Sequence, residues 1–344
     1  MGKINVGIIG STGYVGVELL RLLSNHSGVH VNAIGSNSFV GSKISEIYQG
    51  VGESSDLVCM TNEDVIEKSD FIFTALPHGV SEKYVIAANR LGKKVVDLSA
   101  DFRLEDEKEL KKWYGIGFID KGLHEKCIYG LSEINREKIR RADVVANPGC
   151  YPTSISLALI PLLEFGSIKD SGIIIDSKSG LTGSGRELSQ ASHFVEVNEN
   201  VFAYKVGNHR HTPEIEQNLS KASGTKVRVV FTPTIIPVNR GILSTIYCSK
   251  EDGVSIDDIY KKLTEYYSDC KFIEILPLGQ VSTLKNTRYS NKCAISIHEN
   301  NGSLVICSTI DNMIKGAAGQ AIQNMNLMLG FDEEEGLKYI PAVF

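Results

Sequence analysis

One cysteine, Cys150, stands where its side chain could act as a nucleophile. It follows the short apolar run 144–146 and a Pro-Gly turn, and it precedes a helix-like apolar run at 154–165. A thiol at the first turn of a helix faces backbone N–H groups and the positive end of the helix dipole, and both favour the thiolate. The pattern therefore predicts covalent catalysis at Cys150. The alternative is a small buried hydrophobic residue, which is the interpretation we give to the other cysteines.

Two histidines and an arginine lie together in the polar run 205–215. His209 and His211 flank Arg210, and a Thr-Pro pair marks the start of a helix directly after them. Histidine moves protons near neutral pH, and a basic loop before a helix N-terminus attracts anions. The segment therefore predicts an acid/base or an anion site, with a solvated surface loop as the alternative. It does not decide between His209 and His211.

Two further loops carry groups that could hold a substrate. Arg103 lies in the run 99–104, just after an apolar strand, where the carboxyl edge of an α/β sheet binds ligands. Its guanidinium could hold a phosphate through two parallel hydrogen bonds. The run 179–186 combines Ser179 with Gly180 and Gly183, so its backbone could approach a ligand closely. A flexible surface loop is the alternative for this second run.

A glycine turn near the start of the chain has the spacing G-x-x-G-x-x-G. An apolar strand at 4–9 precedes it, and a helix at 13–24 and a second strand at 29–35 follow. Glycines there allow a tight turn and let a pyrophosphate approach the helix N-terminus. A plain strand-to-helix turn is the alternative. We predict a dinucleotide site formed by Gly10, Ser11, Thr12, Gly13, Tyr14, Val15 and Gly16.

The end of the second strand indicates which dinucleotide binds. An NAD site usually has Asp or Glu there, to hold the ribose hydroxyls. Here the chain reads Gly-Ser-Asn-Ser, so Ser36 offers a hydroxyl and no carboxylate repels a 2′-phosphate, while Lys43 lies a little further on. The predicted cofactor is therefore NADP(H).

The elements around these motifs predict two domains of different kinds. Before Cys150 short strands alternate with helices, a pattern typical of a mostly parallel, Rossmann-like α/β sheet. After it, longer strands separated by short turns at 239–240 and 300–302 predict antiparallel hairpins. A final helix is expected at 312–329. We predict a dinucleotide-binding domain at 1–149, completed by the segment 312–344, and an α+β catalytic domain at 150–311.

Composition excludes several classes of protein. With 344 residues, 42% apolar and 22% charged, the chain is typical of a globular protein with two full cores. The net charge of −5 gives no electrostatic reason to expect nucleic acid, and no apolar run approaches the roughly 20 residues of a membrane helix. The start predicts no signal peptide. Seven cysteines without a C-x-x-C pair indicate the reducing cytoplasm, and predict neither disulfides nor a metal site.

Taken together, these motifs resemble the N-acetyl-gamma-glutamyl-phosphate reductase family of arginine biosynthesis. The resemblance covers nearly the whole chain, and its most specific parts are Pro-Gly-Cys-Tyr at 148–151 and His-Arg-His-Thr-Pro-Glu-Ile at 209–215. The runs Leu-Pro-His-Gly at 76–79 and Asp-Asn-Met-Ile-Lys-Gly-Ala-Ala-Gly-Gln at 311–320 add to it. The wider set includes aspartate-semialdehyde dehydrogenase, which shares the glycine turn and an active-site cysteine.

The resemblance implies a chemistry and a set of site residues. Cys150 would attack an acyl phosphate, and NADPH would reduce the resulting thioester to a semialdehyde. The second domain would be of the glyceraldehyde-3-phosphate dehydrogenase type. One of His209 and His211 would be the acid/base, with a slight preference for His211. The expected substrate contacts are Arg103, Arg210, Glu214 and Ser179. The expected cofactor contacts beyond the glycine turn are Ser36, Leu76, Pro77, His78, Gly180, Gly183 and Asn312.

Two alternatives stay open. One is a reductase of a related acyl phosphate, either aspartyl phosphate or a carrier-linked aminoadipyl phosphate, although no dense basic run is present to dock an acidic carrier. The other is a redox-sensing nucleotide-binding regulator without turnover, which has little reason to keep both the cysteine turn and the His-Arg-His run. The expected partners are a small-molecule substrate and further copies of the chain, in a dimer or tetramer, with neither nucleic acid nor membrane.

Overall fold

The protein is described by a computed structural model over residues 2–342, and it forms two compact units. The first comprises the described residues up to Pro148 together with Ala317–Lys338, and the second comprises Gly149–Gly316 together with the described residues from Tyr339 on. The predicted functional domains divide the chain near the same places and stay a prediction; they are 1–149 with 312–344, and 150–311.

The first unit is built on a seven-stranded sheet. Its strands are β1 (Ile4–Ile9), β2 (Val29–Gly35), β3 (Cys59–Met60), β4 (Phe71–Thr74), β5 (Lys94–Asp97), β6 (Ile128–Tyr129) and β7 (Val144–Ala146). The order is β3-β2-β1-β4-β5-β7-β6, and every neighbouring pair is parallel. The interior strands β4 and β7 are buried along their whole length, which explains why Phe, Ile and Val predominate in them. The predicted parallel sheet is confirmed.

Helices connect these strands. They are α1 (Tyr14–Leu23), α2 (Ile44–Ile47), α3 (Asn62–Lys68), α4 (Glu82–Arg90), α5 (Glu107–Tyr114), α6 (Lys121–Lys126) and α7 (Ser132–Arg140). The direction of the chain across the sheet reverses at β1, because β2 lies on one side of it and β4 on the other. In an open parallel sheet the carboxyl ends of the strands at such a reversal form a ligand-binding crevice. The glycine turn follows β1 directly.

The second unit begins with helix α8 (Cys150–Glu164) and contains a second seven-stranded sheet. Its strands are β8 (Ile173–Ser179), β9 (Phe202–Ala203), β10 (Val229–Ile235), β11 (Ile242–Ser249), β12 (Ile273–Ile275), β13 (Cys293–Asn300) and β14 (Ser303–Ile310). Its further helices are α9 (Phe194–Val197), α10 (Thr212–Ser223) and α11 (Ile256–Tyr266). The order is β12-β13-β14-β11-β8-β10-β9, with parallel and antiparallel neighbours, so the predicted α+β unit is confirmed.

One of the two predicted hairpins is wrong. Strands β13 and β14 form the hairpin predicted at 300–302, with Asn300 paired to Ser303. By contrast, β10 and β11 are not neighbours, because β8 lies between them, parallel to β10 and antiparallel to β11. The turn at 239–240 instead crosses the end of β8, where a Cβ on Gly180 would lie 2.6 Å from the carbonyl oxygen of Asn239. Pairing with a strand about 60 residues earlier is invisible in a local turn pattern.

The predicted final helix begins with a wider turn than expected. The residues Ile314–Ala318 form a π-helical turn, and α12 (Gly319–Leu329) follows it. The backbone N–H of Gly316 donates to the carbonyl of Asp311, five residues earlier, at 2.9 Å. Such π turns are rare and occur often at functional sites. Within the described part of the chain, no helix is both long enough and apolar enough to cross a membrane.

A buried histidine just after α1 contacts both α12 and the segment that follows it. His26 is 2% exposed, and its Nε2 lies 2.8 Å from Oδ1 of Asn326. Its Nδ1 accepts from the backbone N–H of Gly28 at 3.1 Å, and Phe331 packs edge-on against the ring. The ring is therefore held neutral, with its proton on Nε2. Burial lowers the pKa of His26 and Lys3 adds to this, while Asn326 and Glu335 oppose it.

We expect the first unit to lose stability as the pH falls below about 6.5. Because the folded pKa of His26 is lowered, the unfolded chain binds the extra proton first, and the free energy of unfolding falls by up to about 1.4 kcal/mol per pH unit. Urea unfolding followed by fluorescence of the single tryptophan, Trp113 in α5, reports on this unit. His26→Asn should flatten the pH dependence, whereas the exposed control His30→Gln should keep it. A wild-type urea midpoint independent of pH would contradict the prediction.

Candidate active site

Cys150 is the first residue of helix α8. Gly149 is the N-cap and has extended backbone angles. Because it is a glycine, it has no side chain to cap the helix. Behind the cysteine lies the π turn, where a Cβ added to Gly316 would come within 2.8 Å of the Cys150 Cβ. Any side chain at position 316 would therefore displace the cysteine. The predicted placement of the thiol at a strand-to-helix turn is confirmed, and the π turn behind it is a support that the sequence did not predict.

Two side chains from the start of helix α10 converge on Gly149. The Oε1 atom of Glu214, which is 1% exposed, accepts from the backbone N–H of Gly149 at 2.9 Å. A Cβ placed on Gly149 would lie 2.6 Å from Nε2 of His211, so the imidazole packs directly against the glycine. The structure thus brings His211 and Glu214 to the residue next to Cys150.

His209 occupies a different environment from His211. It is 8% exposed, and the rings of Tyr151, Tyr204 and Phe231 pack edge-on around it. Its Nδ1 accepts from the backbone N–H of His211 at 3.1 Å, which leaves the proton of the neutral ring on Nε2. Burial, followed by the charges of Lys205 and Arg210, lowers the pKa of His209 to about 4. His209 is therefore uncharged at neutral pH.

Two tyrosines beside the histidines are site residues that sequence reasoning missed. The hydroxyls of Tyr151 and Tyr204 lie 3.1 Å apart, and Tyr151 is 2% exposed. Burial, followed by the proximity of Tyr204 and Cys150, raises the pKa of Tyr151, and burial raises the pKa of Tyr204 to about 12. Both are therefore neutral hydrogen-bonding phenols. The only available signal was the position of Tyr151 directly after the cysteine.

The remaining predicted residues of the second unit lie in connected loops. Asn312 accepts from the backbone N–H of Gly241 at 2.7 Å and donates to the Thr182 hydroxyl at 3.0 Å, so it joins the loop after β8 to the loop before β11. Ser179 is buried and donates to the carbonyl of Gly180. Gly183 lies against Asn312, and Arg210 is exposed. Their predicted contacts with substrate or cofactor stay predictions.

The backbone of the glycine turn in the first unit requires glycine at two of its three glycine positions. Gly10 has a φ of +84°, and a Cβ on Gly16 would lie 2.4 Å from the carbonyl oxygen of Gly10. By contrast, a Cβ on Gly13 would meet no atom closer than 3.5 Å. Gly13 is the N-cap of α1 and has no side-chain cap. An open, uncapped helix start of this kind fits the close approach of a pyrophosphate.

The other predicted residues of the turn surround this opening. The hydroxyl of Ser11 is buried and donates to the carbonyl of Gly35. Thr12 and Ser36 bring their hydroxyls to 2.9 Å of each other, which places the end of β2 beside the turn. Tyr14 and Val15 occupy the first turn of α1, where Tyr14 is exposed. Lys43 forms an exposed ion pair with Asp56.

Two buried carboxylates hold the loops that follow β4 and β5. Asp101 accepts from the backbone N–H groups of Gly79, Ser81 and Glu82. Asp97 accepts from the hydroxyls of Thr74, Ser81 and Ser99, which completes the network. Burial and then Asp97 raise the pKa of Asp101. These two positions were missed as site residues, because an acidic residue after a strand is not by itself a signal.

The Leu76–Pro77–His78 run is held by the same network. Nδ1 of His78 accepts from the backbone N–H of Ala100 at 2.9 Å, and its ring packs edge-on against Tyr114. Leu76 is partly buried and Pro77 is exposed. These three residues therefore lie in a fixed loop at the carboxyl edge of the first sheet, and their predicted contact with the cofactor stays a prediction.

Arg103 binds the protein backbone in the structure. Its Nε donates to the carbonyl of Asn147 and its second terminal nitrogen donates to that of Leu98, both at 2.8 Å. Leu98 and Asn147 follow the neighbouring strands β5 and β7, so the guanidinium links two strand ends. The sequence did not predict this role, and the predicted phosphate contact stays a prediction. Among the described residues, no group of His, Cys, Asp and Glu side chains is placed to hold a metal ion.

Family models match both units of the chain. Residues 5–142 match the semialdehyde dehydrogenase NAD binding domain, and residues 150–312 match the semialdehyde dehydrogenase dimerisation domain. N-acetyl-gamma-glutamyl-phosphate reductase of Clostridium kluyveri is 53% identical over 343 residues, which cover 99% of this chain and 100% of that protein. The enzymes of the same name from Clostridium botulinum and Brachyspira hyodysenteriae are 54% and 46% identical, with the same coverage.

The chain belongs to the N-acetyl-gamma-glutamyl-phosphate reductase family. This confirms the family that the motifs predicted, and with it the assignment to the oxidoreductases. Solved structures extend the likeness of the fold beyond the reductase family. Aspartate semialdehyde dehydrogenase II of Vibrio cholerae, complexed with ASA, has a TM-score of 0.72 at 16% identity, over 96% of this chain and 99% of that one. The Candida albicans aspartate semialdehyde dehydrogenase with NADP has a TM-score of 0.69 at 17% identity, over 95% and 99%.

In this member of the reductase family we expect His209 to stay neutral well below neutral pH. Its pKa of about 4 means that its ring nitrogens should not titrate between pH 8 and about 5.5, whereas an unperturbed histidine titrates near 6.5. Nitrogen-15 NMR of the labelled protein measures this, and His209→Asn identifies the signal by removing it. A midpoint near 6.5 for that signal would show that the imidazole is solvated and able to serve as the acid/base.

Proposed function

We propose that the protein converts N-acetyl-L-glutamyl 5-phosphate to N-acetyl-L-glutamate 5-semialdehyde, with NADPH as reductant, in arginine biosynthesis. The observation that carries the proposal is the convergence of Cys150 and His211 at Gly149, between the starts of two helices. The Cys150 thiolate attacks the acyl carbon, the bond from that carbon to the phosphate oxygen breaks, and a thioester forms. Family membership supports this reaction.

The second half of the reaction reduces the thioester. Bound NADPH supplies the hydride that the acyl carbon accepts. The negative charge that develops on the acyl oxygen needs a hydrogen-bond donor, and the backbone N–H of Cys150 at the start of α8 is suited to that task. When the carbonyl re-forms, the carbon–sulfur bond breaks, the aldehyde leaves and the thiolate is restored. A 15-residue helix behind the cysteine adds the favourable end of its dipole.

His211 is the group proposed to move the proton. Its Nε2 packs against Gly149, next to the nucleophile, and it can give a proton to the departing phosphate oxygen. His209 is poorly suited to that task, since burial keeps it uncharged and its Nδ1 is occupied by the backbone N–H of His211. We therefore assign His209 to orienting the segment that carries His211.

The first unit is proposed to hold NADPH through its glycine turn. The opening at Gly13 would take the pyrophosphate, and the hydroxyls of Thr12 and Ser36 at the end of β2 would lie near the adenine ribose. No acidic residue follows β2 directly to repel a 2′-phosphate, because the chain continues with Ser36, Asn37 and Ser38. These features support NADPH over NADH.

The covalent step predicts that Cys150→Ser abolishes turnover. We expect a fall in kcat of at least about 1000-fold, because a serine hydroxyl without a dedicated base is a far weaker nucleophile. The reverse reaction measures this, with the semialdehyde, inorganic phosphate and NADP, followed by NADPH absorbance. The control Cys307→Ser, in β14, should retain activity.

The same assay tests the substrate and the cofactor. In the forward direction, N-acetylglutamyl phosphate with NADPH should be preferred over aspartyl phosphate and over NADH. Robust turnover by Cys150→Ser would remove the thioester mechanism, and a preference for aspartyl phosphate would identify the alternative reductase.

The outer face of the second sheet is proposed to pair two copies of the chain. Val230, Ile174, Tyr247 and Val305 stand in one row across β10, β8, β11 and β14. The first three are 61%, 47% and 41% exposed, so an apolar stripe crosses the sheet and faces solvent in the single chain. The match of this unit to a dimerisation domain supports a homo-oligomer that buries the stripe.

A charge in the middle of the stripe should separate the copies. Ile174→Lys would bury an unpaired ammonium at the proposed contact, so sedimentation velocity should show a monomer where the wild type is a dimer or tetramer. Ile119→Lys replaces a residue of the first unit that is 66% exposed and should leave the oligomer unchanged. A monomeric wild type, or an Ile174→Lys variant that sediments like the wild type, contradicts this assignment.

A further inference from the structure

Gly149, the residue before the nucleophile, is held at both of its backbone polar groups. The carbonyl oxygen of Gly149 accepts from the backbone N–H and the hydroxyl of Thr153, each at 2.9 Å, within α8. Its N–H is directed away from that helix, to Oε1 of Glu214 at 2.9 Å. The side chain of Glu214 thus connects helix α10 to Gly149. The orientation of Gly149 therefore depends on a carboxylate that is 65 residues away in sequence.

Glu214 and His211 share one rigid turn. His211 is the N-cap of α10, and the backbone N–H of Ile215 donates to its carbonyl oxygen at 3.0 Å. Glu214 lies three residues after the N-cap, with Pro213 between them to restrict the backbone. Residues three apart on a helix lie on the same side. The imidazole and the carboxylate consequently reach the same glycine from the same turn, and moving one moves the other.

Burying the carboxylate of Glu214 costs free energy unless neighbouring groups compensate for its charge. Glu214 is 1% exposed, and a buried charge requires hydrogen bonds or nearby positive charge. The bond to Gly149 provides one, and the N-terminal end of α10, where Glu214 lies in the first turn, provides a favourable dipole. An amide side chain could make the same bond without the charge. Oε1 of Glu214 therefore acts as a hydrogen-bond acceptor, and this function does not require the negative charge.

We propose that Glu214 is a positioning residue, which sets the distance between Cys150 and His211 by holding Gly149, and that it is not the substrate contact expected from the motif. The hydrogen bond joins the N-terminal turn of α10, which carries the proton-transfer group, to the N-terminal turn of α8, which carries the nucleophile. The inference rests on the proposed function in its assignment of His211 to proton transfer. It concerns the geometry of the free enzyme, so it does not require substrate to be present.

The test compares three substitutions at position 214. Glu214→Gln keeps an acceptor oxygen at the same reach and should retain kcat within about fivefold. Glu214→Asp keeps the charge but is one methylene too short, and Glu214→Ala removes the acceptor. Both should lower kcat by about 100-fold while KM for the acyl phosphate stays within about threefold, because orientation and not binding is lost. Glu216→Gln on the same helix, where Glu216 bonds Arg228 and Val229, is the control with normal kcat.

A second measurement needs no substrate. The rate at which iodoacetamide alkylates Cys150 in the free enzyme should be unchanged in Glu214→Gln and altered in Glu214→Asp, in protein whose circular dichroism matches the wild type. If Glu214→Ala does not fold, the Gln and Asp variants still decide the question. A tenfold rise in KM with normal kcat would identify a substrate contact, and a Gln variant as impaired as Asp would show that the charge matters; either result overturns the proposal. Failure of the proposed reaction itself would appear instead as a wild type without reductase activity.

Discussion

The second unit depends on the burial of helix α8. Thirteen of its 15 residues are buried, so the helix is packed on nearly all sides. Hydrogen bonds also fix its orientation. The Ser154 hydroxyl of α8 lies 2.8 Å from that of Ser244, which lies 2.8 Å from that of Ser177, and the Tyr267 hydroxyl donates to the carbonyl of Leu157. A close-packed interior does not let a helix slide, and directional bonds inside it fix rotation as well. Cys150 is therefore held by the whole core behind it.

Buried carboxylates hold turns whose backbone N–H groups lack partners within a helix or strand. Asp101 holds three backbone N–H groups of the loop after β4, and Glu214 holds that of Gly149. A carboxylate has only acceptor capacity, so backbone N–H groups that no helix or strand uses are its natural partners. In both units the acidic residue and the turn it secures are far apart in sequence. Each bond therefore forms only when the fold is complete, and it then fixes a loop that the secondary structure leaves free.

The fold is compatible with widely different sequences. The solved aspartate semialdehyde dehydrogenases of Vibrio cholerae and Candida albicans have TM-scores of 0.72 and 0.69 with this chain, at 16% and 17% identity. A sheet and its covering helices need apolar residues of suitable volume at buried positions, and many combinations satisfy that requirement. Catalysis tolerates fewer substitutions than the fold does, because it depends on particular side chains in a few turns. This difference explains why short motifs such as those at 148–151 and 209–215 distinguish the reductase family, whereas the fold is shared with proteins of low sequence identity.

The sequence by itself determined the elements whose residues interact locally. Strands β1 and β2 have the bounds that their apolar runs predicted, and the turn at Cys150 carries its Pro-Gly signal in adjacent residues. Tertiary structure decided what depends on distant partners. It inserted β8 between β10 and β11, and it engaged Arg103 with two strand ends and Glu214 with Gly149. It also gave His209 and His211 different environments, because His209 is buried among three aromatic rings, which lowers its pKa, whereas His211 packs against Gly149. A local pattern records residue types, whereas burial and hydrogen-bond partners are set by chain segments that meet only after folding.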